Sequence, residues 1–180
     1  LLEQTRRYRP PRDPINGPEL LDRITQVETF ERFLHRTFPG KTRFSIEGLD
    51  LMIPTLDEII HDAAEAGVQH VMIAMAHRGR LNVLAHVMQK SYAQMLAEFK
   101  EALSEQPFRE DLGWTGDVKY HAGARARVRE ESAPEVAISM PPNPSHLEFV
   151  NPVVEGMARA AGTNVSSRGP GKFDPTRTLP

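Results

Sequence analysis

The sequence predicts an α/β fold: a parallel sheet flanked by helices, behind an N-terminal helical segment. Three observations predict it. Val68–Arg80 opens with an apolar, partly β-branched run, Val68, Val71, Met72, Ile73 and Met75, of the kind buried on both faces of a sheet. Leu81, Leu84, Ala85 and Met88 then recur at helical spacing, so a strand hands over directly to a helix. Glu135–Met140 is a second buried-type strand that again runs into polar residues and a helix. Helix, strand, helix in this order recommends packed layers.

The handover is His77-Arg78-Gly79-Arg80. A helix N-terminus already carries about half a positive charge, so cations gathered there cost energy unless an anion sits among them. Exposed N–H groups and a flexible glycine complete an anion site. The competing reading is a solvated basic turn. Ser145 and His146 stand just past the second strand, and ligands of open α/β sheets bind beyond such strand ends. Two strands therefore deliver His77, Arg78, Ser145 and His146 to one edge.

The 180 residues suffice to bury a real core. With 22 basic and 24 acidic residues the chain is no nucleic-acid polycation. No cysteine occurs, which excludes disulfide and thiol chemistry and suits a reducing cytoplasm. No apolar run approaches the ~20 residues that span a bilayer, and the N-terminus has no secretory core. Without an initiator Met, and with Leu179-Pro180 closing no element, the chain reads as part of a longer protein.

Leu1–Pro18 holds Arg6, Arg7, Arg9 and Arg12 among Pro10, Pro11, Pro14 and Pro18, an extended linker. A helix starts at Glu19, with Leu20, Ile24, Val27, Phe30 or Glu31, Leu34 and Phe38 on one face, and Pro39-Gly40 ends it. Phe44 and Ile46 alternate as a short strand. Thr55 and Glu58 form the capping box of a second helix, with Leu56, Ile59, Ile60 and Ala63 inward, closed by Gly67. Tyr92–Leu103 is a further amphipathic helix, with Met95, Leu96, Phe99 and Leu103 inward. Ser104–Pro134 shows no convincing regular element, and loops so long are often functional. Within it, His121 sits either in a polar, glycine-bracketed site or on a surface hairpin. Arg125, Arg127 and Arg129 mark a solvated charged edge. Asn151-Pro152 starts a helix as cap and first residue, packed by Val153, Val154, Met157 and Ala161. From Gly162 a mobile segment follows. The domain is thus placed at 19–180. Residues alone lead to an α/β domain with a basic, histidine-containing site for an anion. There is no metal-spaced cluster, Walker loop or dinucleotide glycine fingerprint.

Met75-Ala76-His77-Arg78-Gly79-Arg80-Leu81-Asn82-Val83-Leu84 resembles a motif of the thiamine-diphosphate-dependent decarboxylating component of 2-oxoglutarate dehydrogenase complexes. Three stretches agree in the family's order: Arg43–Gly48, Gly116–His121 and Asn143–Glu148. Phe30–Gly40 is also similar. The resemblance implies a partial thiamine-diphosphate-binding fold in a cytoplasmic oxidoreductase of the tricarboxylic acid cycle. It implies decarboxylation of 2-oxoglutarate, with the succinyl unit passed to lipoyl groups of a dihydrolipoyl succinyltransferase, beside a dihydrolipoyl dehydrogenase. It also implies a homodimer for the complete protein, and neither nucleic acid nor membrane as partner. By the same resemblance His77 and His121 are active-site histidines. Arg78, Ser145 and Leu147 contact the cofactor, and Phe44, His121 and Ser145 contact the substrate. The Gly-Asp motif that holds magnesium (Mg2+) is expected just after Pro180, so no metal ligand is named and the chain alone is expected to be inactive. The alternatives are a 2-oxoadipate dehydrogenase or a 2-oxoglutarate decarboxylase and, from a different class, a non-catalytic anion or nucleic-acid binding module.

Overall fold

In the computed structural model the described residues are 16–99, 120–129, 135–142, 147–166 and 169–180. The linker 1–18 lies outside them except for its last three residues, and Gly17 already belongs to the first helix. Helix α1, Gly17–Thr37, starts there because Asn16 Oδ1 accepts the Glu19 amide at 3.3 Å. Its buried face is Val27, Phe30, Glu31 and Leu34, so the apolar stripe admits both Phe30 and a carboxylate. Phe38 ends it, followed by Gly40 at φ +77°.

Helix α2 is Met52–Glu65, four residues earlier than the capping-box reading. Thr55 lies inside the helix, its amide bonded to Leu51 O, and Pro54 is tolerated in the first turn because no helical N–H is needed there. Ile53, Ile60, Ala63 and Ala64 are buried, whereas Ile59 faces solvent. Residues 41–46 form no strand: Phe44 has φ +48° and the segment bonds to side chains and turns instead.

Strand β1 is His70–Met72, shorter than the apolar run around it. It is followed by α3, Arg80–Asn82, which opens at Val83–Val87 into a π turn closed by Met88 N–H to Val83 O. Leu81, Leu84 and Met88 are buried as their spacing predicts. The wider winding coincides with an outside claim on a carbonyl: Arg23 donates to His86 O at 2.9 Å while pairing with Asp57. Helix α4, Tyr92–Phe99, buries Met95, Glu98 and Phe99; Leu103 lies outside the described residues.

Strand β2, Ala124–Val128, occupies part of the stretch expected to lack regular structure. It pairs antiparallel with β3, Val136–Met140, and exposes Arg125 and Arg127 on its edge, as the charge pattern suggested. Helix α5, Leu147–Ala161, begins before Asn151-Pro152, so Pro152 sits within it. Val150, Val154 and Ala158 are its buried positions; Val153 is exposed. The segment expected to be mobile is instead a hairpin, β4 (Thr163–Ser166) with β5 (Gly169–Phe173), and the chain's last residues add β6, Thr178–Leu179. Gly162 and Gly171 permit this: a Cβ on either would lie under 3.0 Å from the facing backbone.

The sheet order is β2-β3-β1-β6, with β1 parallel to both β3 and β6. Val71, Val136, Ile138 and Met140 face α1, α2 and the π turn, while Met72 on the opposite face meets Val150, Val154 and Ala158 of α5. β1 is therefore covered on both faces, which is why it reads as an apolar run, whereas β3 alternates buried with half-buried residues.

His86 lies edge-on to Phe30 (5.8 Å between centroids) and Tyr92 (5.9 Å). Burial, then the neighbouring Arg23 charge, pushes its pKa down to about 4, with Asp57 opposing. In the unfolded chain the imidazole protonates near ~6.5. The stability it supports is thus complete above ~6.5 and lost as pH falls toward 4. His86→Phe is expected to flatten the decline of melting temperature across that window; an unchanged acid slope would remove His86 from the account.

Candidate active site

The polar edge is built where β1 and β3 end. Four rings meet there. His77 stands 4.5 Å from Phe44 and 4.9 Å, edge to face, from His121; Tyr120 abuts Phe44 at 4.9 Å and His77 at 6.2 Å between centroids. His121 is thus half-buried in a cluster, not on a surface hairpin. Tyr120 is 2% exposed and donates its hydroxyl to Thr42 O. That bond, Gly79 N–H to Phe44 O (2.8 Å) and Ile46 N–H to Glu31 Oε1 (3.1 Å) strap residues 42–46 over the histidines. Phe44 takes a left-handed φ, and its ring caps His77. Gly79 has φ +73°, which favours glycine, and a Cβ there would press on Ile46 Cγ1 of the strap at 3.0 Å.

The two arginines of the motif part company. Arg78 is exposed and donates to Glu47 O at 2.7 Å, with Gly48 beside its guanidinium. Among the described residues its guanidinium makes no other hydrogen bond. Arg80 is 0% exposed, so of the two cations of the turn Arg78 alone reaches solvent. Backbone oxygens surround Arg80: Nη1 donates to Met75 O (3.0 Å), Nη2 to Ala122 O (2.7 Å) and Pro141 O (3.4 Å). Peptide carbonyl oxygens carry partial negative charge, and three of them help to compensate a guanidinium that would otherwise be costly to bury. Burial still lowers its pKa to about 10.

A second buried network lies behind the strap. Glu31 Oε1 accepts from Asn82 Nδ2 (2.8 Å) and the Ile46 amide, and Oε2 faces Arg43 at 3.8 Å. Ser145 and His146 lie outside the described residues; Leu147 is the first residue of α5. Sequence reasoning missed Tyr120, Arg80 and Glu31 as site builders. Tyr120 stands beside His121, and Arg80 lies in the His-Arg-Gly-Arg motif, so position offered a signal; Glu31 offered only its place on an apolar stripe. Among the described residues no group of three or more His, Asp or Glu is placed to hold a metal, and no helix is long and apolar enough to cross a membrane.

Histidines, an aromatic cap and an exposed arginine stand at the C-terminal edge of the parallel strands of an α/β protein, the edge beyond which open α/β sheets as a class take their ligands. No protein-family model matches the chain. It is 52% identical over 171 residues to the 2-oxoglutarate dehydrogenase E1 component of Bacillus mycoides (strain KBAB4), and equally to those of Bacillus cereus (strain AH187) and Bacillus anthracis (strain A0248). Each match covers 93% of this chain and 18% of the relative's own length. The chain belongs, as a segment, to the 2-oxoglutarate dehydrogenase E1 component family.

Proposed function

We propose that the complete protein decarboxylates 2-oxoglutarate and passes the succinyl unit to lipoyl groups of a succinyltransferase, within a complex that also contains a dihydrolipoyl dehydrogenase, in the cytoplasm and as a homodimer. The observation that carries this reading is the 52% identity across almost the whole chain. The His77–His121 pair at the strand edge supports it. Thiamine diphosphate, when bound, supplies the ring that takes up the electron pair released with carbon dioxide.

The chain's own residues bind, orient and move protons. Arg78, exposed at the turn, holds a phosphate of the cofactor, and Ser145 and Leu147 help to seat it. His121 receives a carboxylate or keto oxygen of 2-oxoglutarate, together with Ser145. His77, fixed between Phe44 and His121, transfers a proton at the reacting carbon's oxygen; a positioned imidazole suits this because its ordinary pKa lies near neutrality. Phe44 walls the substrate off from water. Among the described residues no group of three or more His, Asp or Glu would hold the magnesium ion that accompanies the diphosphate.

The test is decarboxylation by the full-length protein with thiamine diphosphate and magnesium, 2-oxoglutarate against 2-oxoadipate. Preference for 2-oxoadipate makes it the related dehydrogenase; carbon dioxide release without succinyl transfer makes it a decarboxylase; no turnover of either acid defeats the reading. In the same protein Arg78→Ala is expected to weaken the cofactor roughly ten- to hundredfold, since hydrogen bonds to a charged group are worth about 1.5–3 kcal/mol. A parental titration curve would strip Arg78 of this role.

A further inference from the structure

We propose that Arg80 is a positioning residue, a buried clamp that joins the chain segments carrying the two histidines and so holds their edge-to-face contact. Its guanidinium spans three carbonyls far apart in sequence: Met75 O, two residues before His77; Ala122 O, next to His121; and Pro141 O, the first residue beyond β3. With no exposed surface it cannot touch substrate or cofactor, so it acts through the backbone alone. The site requires an arginine. A planar fork presents N–H groups in several fixed directions, whereas the single ammonium of lysine serves one point.

The loop under the clamp is already pressed onto the end of β3. A Cβ on Gly123 would lie 2.7 Å from Met140 O and 2.9 Å from Pro142 Cδ. Arg80 thus joins this loop both to the segment that leads from β1 into His77 and to the end of β3, alongside the Tyr120 hydroxyl bond to Thr42 O. Releasing Arg80 loosens the loop on the Ala122 side of His121, while Tyr120 stays strapped to Thr42 O, and leaves the core of the sheet closed, since its β1–β3 ladder and apolar contacts are separate.

The experiment uses the full-length protein and the variants Arg80→Lys and Arg80→Met, with Arg125→Met on the exposed edge of β2 as control. Hydrogen exchange of peptides spanning Met75–Gly79 and Tyr120–Ala124 is measured beside kcat, KM and cofactor affinity. Arg80→Lys is expected to exchange about tenfold faster in those two peptides and at the parental rate elsewhere. Its kcat is expected to fall roughly ten- to hundredfold, as for an active-site group misplaced by about 1 Å, with cofactor affinity held within about threefold. The control is expected to match the parent. The kinetic arm rests on the proposed function and the exchange arm does not: a parent that fails to decarboxylate defeats the function while exchange still decides the clamp. Parental exchange in both peptides of Arg80→Lys overturns the proposal, and so does acceleration spread over the whole chain, which would make Arg80 a general support of the core. Arg80→Met, which keeps the stem and removes every donor, must show at least the effect of the lysine variant; a smaller one also overturns it.

Discussion

His121→Ala in the full-length protein is expected to lower kcat for 2-oxoglutarate roughly a hundred- to ten-thousandfold, the span associated with a positioned acid–base or substrate-orienting side chain, while thiamine diphosphate affinity changes far less. The asymmetry follows from the geometry. Arg78 lies on the turn beside Gly48, whereas His121 meets His77 edge to face at 4.9 Å. His77→Ala is expected to cost a similar factor. Because the rings touch, the double variant should lose much less than the product of the two single losses. Steady-state kinetics beside a cofactor titration measures all of this. A His121→Ala protein with parental kcat would leave the ring cluster a packing feature and remove both histidines from the proposed chemistry.

Glu31→Ala is expected to be the most destabilising of the substitutions considered, by about 2–6 kcal/mol, because it strands two buried donors at about 1–3 kcal/mol each. These are the Ile46 amide and Asn82 Nδ2, both bonded to the same carboxylate oxygen, Oε1. Glu31→Gln should cost only about 1 kcal/mol, since an amide oxygen turned toward the Oε1 position keeps both bonds and gives up the longer Arg43 contact. Denaturant unfolding of the three proteins decides it. Equal losses for Ala and Gln would mean that the charge, not the pair of hydrogen bonds, anchors the strap. Loosening the strap also releases Phe44, so Glu31→Ala should raise KM for the substrate.

Much of the layer structure was legible because burial is written into local periodicity. The Val27–Leu34 stripe of α1, the Ile60–Ala63 face of α2 and the apolar runs of β1 and β3 each followed from neighbours three, four or two residues apart. The errors fell where local patterns compete with contacts elsewhere. Thr55 and Glu58 have capping-box spacing, yet the helix starts at Met52. Asn151-Pro152 has the look of a helix start, yet α5 already runs through it. Gly162–Phe173 is rich in residues of loops, yet its glycines are what let two strands approach closely. Phe44 and Ile46 alternate like a strand, yet the segment's polar groups are taken by Glu31, Gly79 and Tyr120.

The sequence by itself determined the α/β class, the parallel relation expected of β1 and β3, the place of His77 and Arg78 at a strand end, and the family. These rest on burial periodicity and on short motifs, both of which are local. Only the tertiary structure decided which arginine of His77-Arg78-Gly79-Arg80 faces solvent and which is buried, that Tyr120 and Phe44 close around the histidines, and that Thr178–Leu179 joins the sheet beside β1. The physical reason is the same in each case. The fate of a guanidinium, a phenol or a strand edge depends on which carbonyls and rings lie within hydrogen-bonding or van der Waals reach. At Arg80 two of the three carbonyls come from positions 42 and 61 residues away along the chain.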